Sequence, residues 1–385
     1  MVLNLLNRNC KMRHLLVLVF IMAVTLSCKK DDPEVADIQP TAAFNIENLL
    51  TNWSTSIIIP SYEQYQTNVL ELQKAASQFK ASPSEINLTN VRSAWLSAYM
   101  AWQKVAMYEF GPAADITLRS ETNIYPTDTA ELKDLIKQGS ININGANKLD
   151  VKGFPALDCL INSGSATKIV GRYTDSILGT NRLNYLEEVV NQIANNAESV
   201  NIKWSSNGGN YVNQFNGANG TDAGSSLGQV INALTQHIER HLRDGKLGIP
   251  NGNRNFSGTS LPGHVEALYY GNTSIELALE NLNAIEAFYN GSNNDGVEGI
   301  GLDDYLISLG AEYNEGTLND AIKAQFAACR NKLNAIPKPL KESLTSNKAN
   351  IDEAVKELQR LIILFKADIP SATGVLITYQ DNDGD

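Results

Sequence analysis

The sequence predicts an all-α protein made of two helical bundles. Three observations carry that reading. Apolar residues recur at steps of three and four through most of the chain after residue 44. No run alternates apolar and polar residues at the period of two that a half-buried strand requires. The breaks between periodic segments fall at clusters of Gly, Pro, Asn and Ser. A length of 385 residues suits two domains, and similar helix counts on either side of a polar stretch suggest a duplication. The expected organisation is a lipoprotein signal peptide at 1–27, a tether at 28–43, an N-terminal bundle at 44–204, a polar linker at 205–226, a C-terminal bundle at 227–370 and a tail at 371–385.

The N-terminus opens with Arg8, Lys11 and Arg13, followed by a run from Leu15 to Leu26 that is apolar except for Thr25. That run is too short to span a bilayer and fits the h-region of a signal peptide. Ser27-Cys28 at its end resembles the processing site of bacterial lipoproteins, which makes Cys28 the candidate for lipidation. Acyl chains there would hold the chain to a membrane without a spanning helix. The expected location is the cell envelope, lipid-anchored to the outer membrane and facing the periplasm or the surface. Removing residues 1–27 takes away three basic residues and no acidic one, which moves the net charge from −11 to −14.

Each helix has its own justification. Tyr62, Tyr65, Val69, Leu72, Ala76 and Phe79 form one stripe, and Ser82-Pro83-Ser84-Glu85 breaks it. Leu88, Val91, Trp95, Ala98, Trp102 and Val105 form the next, which stops at Phe110-Gly111-Pro112 because Pro cannot continue a helix. Thr127 or Asp128 is placed to cap a helix over Thr129 to Lys137. Pro155 suits a first helical turn, with Asp158 in that turn. Leu183, Leu186, Val190, Ile193, Ala197, Val200 and Trp204 mark a further helix. Beyond the linker, periodicity resumes at Leu227, Ile231, Leu234, Ile238 and Leu242, and is expected to stop at Asp244-Gly245-Lys246. A loop covers 248–263, a long pattern runs from Val265 to Tyr289, a loop covers 290–301, and the last helices take about 317–335 and 348–368.

Composition excludes several function classes. Hydrophobic residues make up 43% of the chain, enough for real cores. A net charge of −11 and a pI near 5.0 argue against a nucleic-acid partner, since phosphate binding wants a basic face. The sequence has no P-loop, no dinucleotide fingerprint and no Gly-x-Ser-x-Gly elbow. Asp381-Asn382-Asp383-Gly384-Asp385 matches part of a calcium loop but lacks the downstream Glu. Cys159 and Cys329 read as two buried thiols.

Three motifs stand out. Glu109-Phe110-Gly111-Pro112 ends a helix, and Glu109 there opposes the helix dipole, a small cost that asks for a reason. Tyr125-Pro126-Thr127-Asp128 and Gly153-Phe154-Pro155-Ala156-Leu157-Asp158 follow. Together with His241-Leu242-Arg243-Asp244-Gly245-Lys246 and the closing Gly374 to Asp385, their order over the whole chain resembles the imelysin-like family. The resemblance implies an exported all-helical protein of two bundles, in a family with peptidase members and with iron-regulated proteins tied to iron uptake.

The family signature Gly-x-His-x-x-Glu falls on Gly153, Pro155 and Asp158, so proline stands where histidine is expected. On that pattern the expected ligand site gathers Glu109, Gly111, Pro112, Tyr125, Gly153, Pro155 and Asp158, with Glu109 and Asp158 as carboxylates and Tyr125 as a phenol. No residue is assigned as catalytic. Arg240, Arg243 and Lys246 are the cations that would face the site from the second half.

For metal, iron or another divalent ion, the remaining candidates are His237 and His241. They stand at i and i+4 on one helix, with Glu239 pointing away. The plainer expectation is histidines solvated or at the edge of the core. The resulting functional expectation is a lipoprotein that binds a small ligand or iron species, linked to iron uptake. A metallopeptidase of the same family and a structural or adhesive surface lipoprotein are the alternatives.

Overall fold

The computed structural model describes residues 44–379, and these belong to one compact unit. The expected signal peptide, tether and lipidated Cys28, and the acidic ending at 380–385, lie outside the described residues.

The all-α expectation holds. The described strand content is a hairpin of two-residue strands, Glu312–Tyr313 and Gly316–Thr317. The framework of the first half is three long helices, Ile59–Ala81, Glu85–Val105 and Gly179–Trp204, with Ile59–Ala81 packed against both of the others. Each stripe read from sequence is the face that packs: Tyr62, Tyr65, Val69, Leu72 and Phe79 are fully buried, as are Leu88, Val91 and Trp95. Ser84 caps its helix by accepting from the Asn87 N–H at 3.2 Å. Asp128 caps Thr129–Gln138 by accepting from the Ala130 and Glu131 N–H groups, both at 2.9 Å.

In the second half Ser274–Tyr289 and Lys348–Ile363 pack on the segment His237–Gly248, and Leu318–Asn334 packs on both of those helices. The halves meet directly. Ser274–Tyr289 packs on Glu85–Val105, and Trp53 stacks on Phe288 with ring centroids 4.8 Å apart.

Three sequence expectations are corrected. The 205–226 stretch is not a plain linker: Tyr211–Gly217 is helical and buries Val212 and Phe215, with Phe215 stacked 5.8 Å from Phe110. Two aromatic side chains with a dry place to go outweigh a polar, glycine-rich composition. The helix through His241 does not stop at Asp244-Gly245. It continues to Gly248 as a π-helix and on to Asn251. The pattern from Val265 to Tyr289 becomes helical only at Ser274, and the chain before it is irregular. That irregular turn carries a buried acid, Glu266, into the interior.

Candidate functional site

The π-helical segment His237–Gly248 builds one wall of a partly open cavity of about 250 Å³. Steps of four residues bring His237, His241, Gly245 and Ile249 to the same space. An α-helical period of 3.6 would rotate the last of these away by about 120°. The wider π turn keeps them aligned, and such segments recur at functional sites. The opposite wall comes from the first half: Trp102, Gln103, Arg119, Asn123 and Tyr125. Gly245 matters by size, because a Cβ there would lie 3.2 Å from the Tyr125 hydroxyl.

The polar groups form one connected network. Glu266 is 1% exposed. Its Oε1 accepts from Asn123 Nδ2 at 2.8 Å, the Tyr99 hydroxyl at 3.0 Å and Gln103 Nε2 at 3.3 Å. Its Oε2 pairs with Lys246 Nζ. Lys246 also donates to Gln103 Oε1 at 2.8 Å. Burial pulls the Lys246 ammonium below its usual range, and the Glu266 charge opposes that shift.

The two histidines are held as neutral rings. Asn281 Nδ2 donates to the Gln103 carbonyl at 2.8 Å, which leaves its Oδ1 to accept from His237 Nε2 at 2.9 Å. The proton of His237 therefore sits on Nε2, and its Nδ1 is a buried lone pair with no partner among the described residues. Arg119 Nη1 lies 3.1 Å from His241 Nε2, and since guanidinium only donates, that nitrogen accepts. Burial first, and the Arg119 charge second, push both imidazoles well below their usual range. The expectation of solvated or core-edge histidines is corrected: the two rings lie side by side, centroids 5.6 Å apart, on the wall of a cavity. Glu239 faces the other way, toward Arg243, Lys366 and the Tyr379 hydroxyl, as its position predicts.

The sequence-predicted site residues do not all meet. Tyr125 lines the cavity, and it also shares a cleft of about 20 Å³ with Pro155 and Asp158. Glu109 lines neither space. Its carboxylate accepts the Arg119 backbone N–H, at 3.1 Å to Oε2, at the start of the helix Leu118–Thr122. The expectation that Glu109 ends the preceding helix is corrected: that helix stops at Val105, and Glu109 lies in the irregular chain beyond it, where it serves this bond. Burial pushes the Glu109 carboxyl up, against the pull of Arg119. Gly111 lies under the Tyr211 ring, and Pro112 opens a short helix.

Asp158 is 1% exposed, inside the helix Gly153–Asn162. It accepts from the Tyr269 N–H at 2.8 Å and from Asn162 Nδ2 at 3.0 Å. It pins the turn that follows Glu266. Burial raises its pKa to about 7, so near neutrality it is only partly a carboxylate.

Gly153 has φ +74°, and a Cβ there would lie 2.1 Å from the Thr122 carbonyl oxygen. Only glycine fits, because the helix that follows starts against the Leu118–Thr122 helix that carries Arg119. Gly153→Ala is expected to lower stability by roughly 1–3 kcal/mol in chemical denaturation, from strain and overpacking together. Unchanged stability would show that the two backbones separate freely.

Sequence reasoning placed the site around Glu109 and Asp158. It gave no site role to Arg119, Asn123, Gln103 or Glu266. The signals it did have were Tyr125, the pair His237 and His241 at helical spacing, and Arg240 and Lys246, all of which line the cavity. Among the described residues no group of three or more His, Cys, Asp or Glu side chains is placed to hold a metal ion. Nor is any described helix long and apolar enough to cross a membrane.

Comparisons with known proteins agree with this architecture. The chain is 23% identical over 320 residues to iron-regulated protein A of Synechococcus elongatus, covering 81% of this chain and 82% of that protein. The fold matches the crystal structure of a putative iron-regulated protein A precursor from Parabacteroides distasonis, with a TM-score of 0.71 and 18% identity, over 85% of this chain and 95% of that one. It also matches an imelysin-like protein from Psychrobacter arcticum, with a TM-score of 0.65 and 20% identity, over 87% and 98% of the two chains. The imelysin family model matches residues 58–364, so this chain belongs to the imelysin family.

Proposed function

We propose that this protein is an exported, lipid-anchored member of the imelysin family that binds a small ligand in the His237–Tyr125 cavity, in the service of iron uptake. The observation that carries this reading is the cavity itself. Both halves of the chain contribute side chains to it, and it holds a buried ring nitrogen with no partner among the described residues. Folding gains nothing from leaving such a group unsatisfied, whereas a ligand that fills the space supplies the missing partner. The names of the relatives give the link to iron regulation. The N-terminal segment and Cys28 give the anchor.

Two measurements test it. Calorimetry of the full chain with ferric, ferrous and haem ligands is expected to show saturable heat with at least one iron species. Silence with all three would remove a binding role for iron species and weigh toward a structural or adhesive lipoprotein. Expression in a Gram-negative host is expected to place the protein in the membrane fraction, and Cys28→Ser to release it from that fraction. Retention of the serine variant would end the lipid-anchor reading.

The peptidase alternative is the weaker one because Pro155 offers no donor atom where the family signature places histidine. Chelator-sensitive cleavage of a test peptide would reverse that preference.

A further inference from the structure

The cavity has a sign. Arg119 and Lys246 line it, and among the described residues no Asp or Glu does. This is unusual for a chain with a net charge of −11. The Lys246 charge is answered by Glu266 from behind, outside the lining. The side-chain hydrogen bonds of the Arg119 guanidinium go to neutral groups: Nη1 to His241 at 3.1 Å, Nη2 and Nε to the Ala106 carbonyl at 2.9 and 3.3 Å. Glu109, outside the lining, accepts the Arg119 backbone N–H and partly offsets the guanidinium charge without a side-chain hydrogen bond to it. Arg240 lies with its guanidinium carbon 5.7 Å from the centre of the Tyr379 ring. Positive charge on the wall of a partly desolvated cavity repels a cation more strongly than the same charge in water.

The donor set also fails for a naked metal ion. Three imidazoles line it, His237, His241 and His264, but His241 Nε2 already accepts from Arg119, and among the described residues no group of three or more His, Cys, Asp or Glu side chains is placed to hold a metal ion. His237 Nδ1 is buried beside the pocket and keeps an unused lone pair. A lone pair among cations is an unusual combination. It suits a ligand that carries negative oxygens for the cations and one hydroxyl for the nitrogen. At about 250 Å³ the space lies just below the ~300–1,000 Å³ of drug-sized ligand sites, which limits the ligand to a small one.

We propose that the cavity binds a small hydroxycarboxylate anion, free or as the shell around a ferric ion, rather than a naked metal cation. This rests on the ligand-binding reading of the same cavity and names the chemical class of its ligand. The carboxylates meet Arg119 and Lys246, the Tyr125 hydroxyl donates to a ligand oxygen, and the ligand hydroxyl donates to His237 Nδ1. The neutral state of His237 leaves that nitrogen as an acceptor.

The test is calorimetry on the full chain with four probes: citrate, tricarballylate (the same three carboxylates with no hydroxyl), ferric citrate and zinc chloride. Citrate is expected to bind, tricarballylate to bind about tenfold more weakly, and zinc alone not to bind. Arg119→Met is expected to weaken citrate at least tenfold, roughly the loss of one charged hydrogen bond. Because Arg119 also holds the Ala106 carbonyl, Tyr125→Phe serves as a second variant, with a smaller loss of a few-fold expected. The wild-type comparison of the four probes stands even if a variant fails to fold. Ferric citrate binding more tightly than citrate supports the chelate as the source, and the reverse order supports the free anion. Equal affinity for citrate and tricarballylate would overturn the hydroxyl contact and with it the class. Saturable zinc binding with citrate inert would overturn the anion assignment and leave the ligand-binding reading intact. Silence with all four, together with silence toward ferrous ion and haem, would remove both.

Discussion

Glu266→Gln is expected to lower the stability of the protein by about 3–5 kcal/mol. The carboxylate is 1% exposed and gathers four donors, from Tyr99, Gln103, Asn123 and Lys246. The Lys246 side chain is 5% exposed, so its ammonium has little water to fall back on. The amide keeps one acceptor but removes the negative charge and turns an NH2 toward an ammonium. Breaking one side of a buried pair leaves the other charge uncompensated, which costs far more than the net worth of the pair. Chemical denaturation of both single variants and of Lys246→Met/Glu266→Gln completes a double-mutant cycle. The double variant is expected to be more stable than Glu266→Gln alone, since it carries no orphaned ammonium. A loss below about 1 kcal/mol in the single variant would mean that water reaches the pair, in the range of a surface ion pair.

The second large effect is a pH dependence from Asp158. Its pKa is raised from an ordinary 3.8 to about 7, and burial is the largest cause. The hydrogen bonds from Tyr269 and Asn162 pull in the opposite direction without cancelling it. Between these two values the native state holds a proton that the unfolded chain has lost. Stability from this group therefore falls as pH rises through the window from about 4 to about 7, and is level above it. The slope approaches about 1.4 kcal/mol per pH unit, for a total on the order of 4 kcal/mol. Asp158→Asn cannot titrate. The difference in unfolding free energy between wild type and variant is expected to shrink with rising pH over that window and then stay constant. The variant also carries a fixed loss of roughly 1–3 kcal/mol, because an amide cannot accept both bonds that the carboxylate accepts. A difference that is flat from pH 4 to pH 8 would show that Asp158 ionises normally and that the cleft beside Pro155 is wet.

Both effects arise next to the cavity but not in it, which explains how the sequence pointed to the neighbourhood and missed much of the lining. Glu109 and Asp158 were singled out because they lie in recognisable motifs. In the structure each accepts backbone N–H groups that fix a turn: Glu109 sets the helix that presents Arg119, and Asp158 sets the turn that follows Glu266. Motif residues of this kind mark where the backbone must be held. The groups that face the cavity are spread over four segments, at Trp102–Gln103, Arg119–Tyr125, His237–Ile249 and His264. No spacing in the sequence links Arg119 to His241 across 122 positions.

The helices themselves were legible, since burying an apolar face is a local pattern with a fixed period. Leu88, Val91, Trp95, Ala98, Trp102 and Val105 fall on one face whatever the rest of the chain does, and all six are buried. The continuation of the His237 helix past Asp244-Gly245 was not legible. Gly245 reads as a stop, yet here its missing side chain makes room for the Tyr125 hydroxyl. The Tyr211–Gly217 helix was hidden in the same way, because its composition is that of a loop and its two apolar residues pack on a surface formed elsewhere.

By itself, then, the order of residues determined the helical class, the faces that pack and the order of motifs shared with the imelysin family, because each depends on neighbours within a turn or two. Only the tertiary structure decided which charges share one cavity. Charge and hydrogen-bond complementarity act through space between segments far apart in the chain, and they have no period to read.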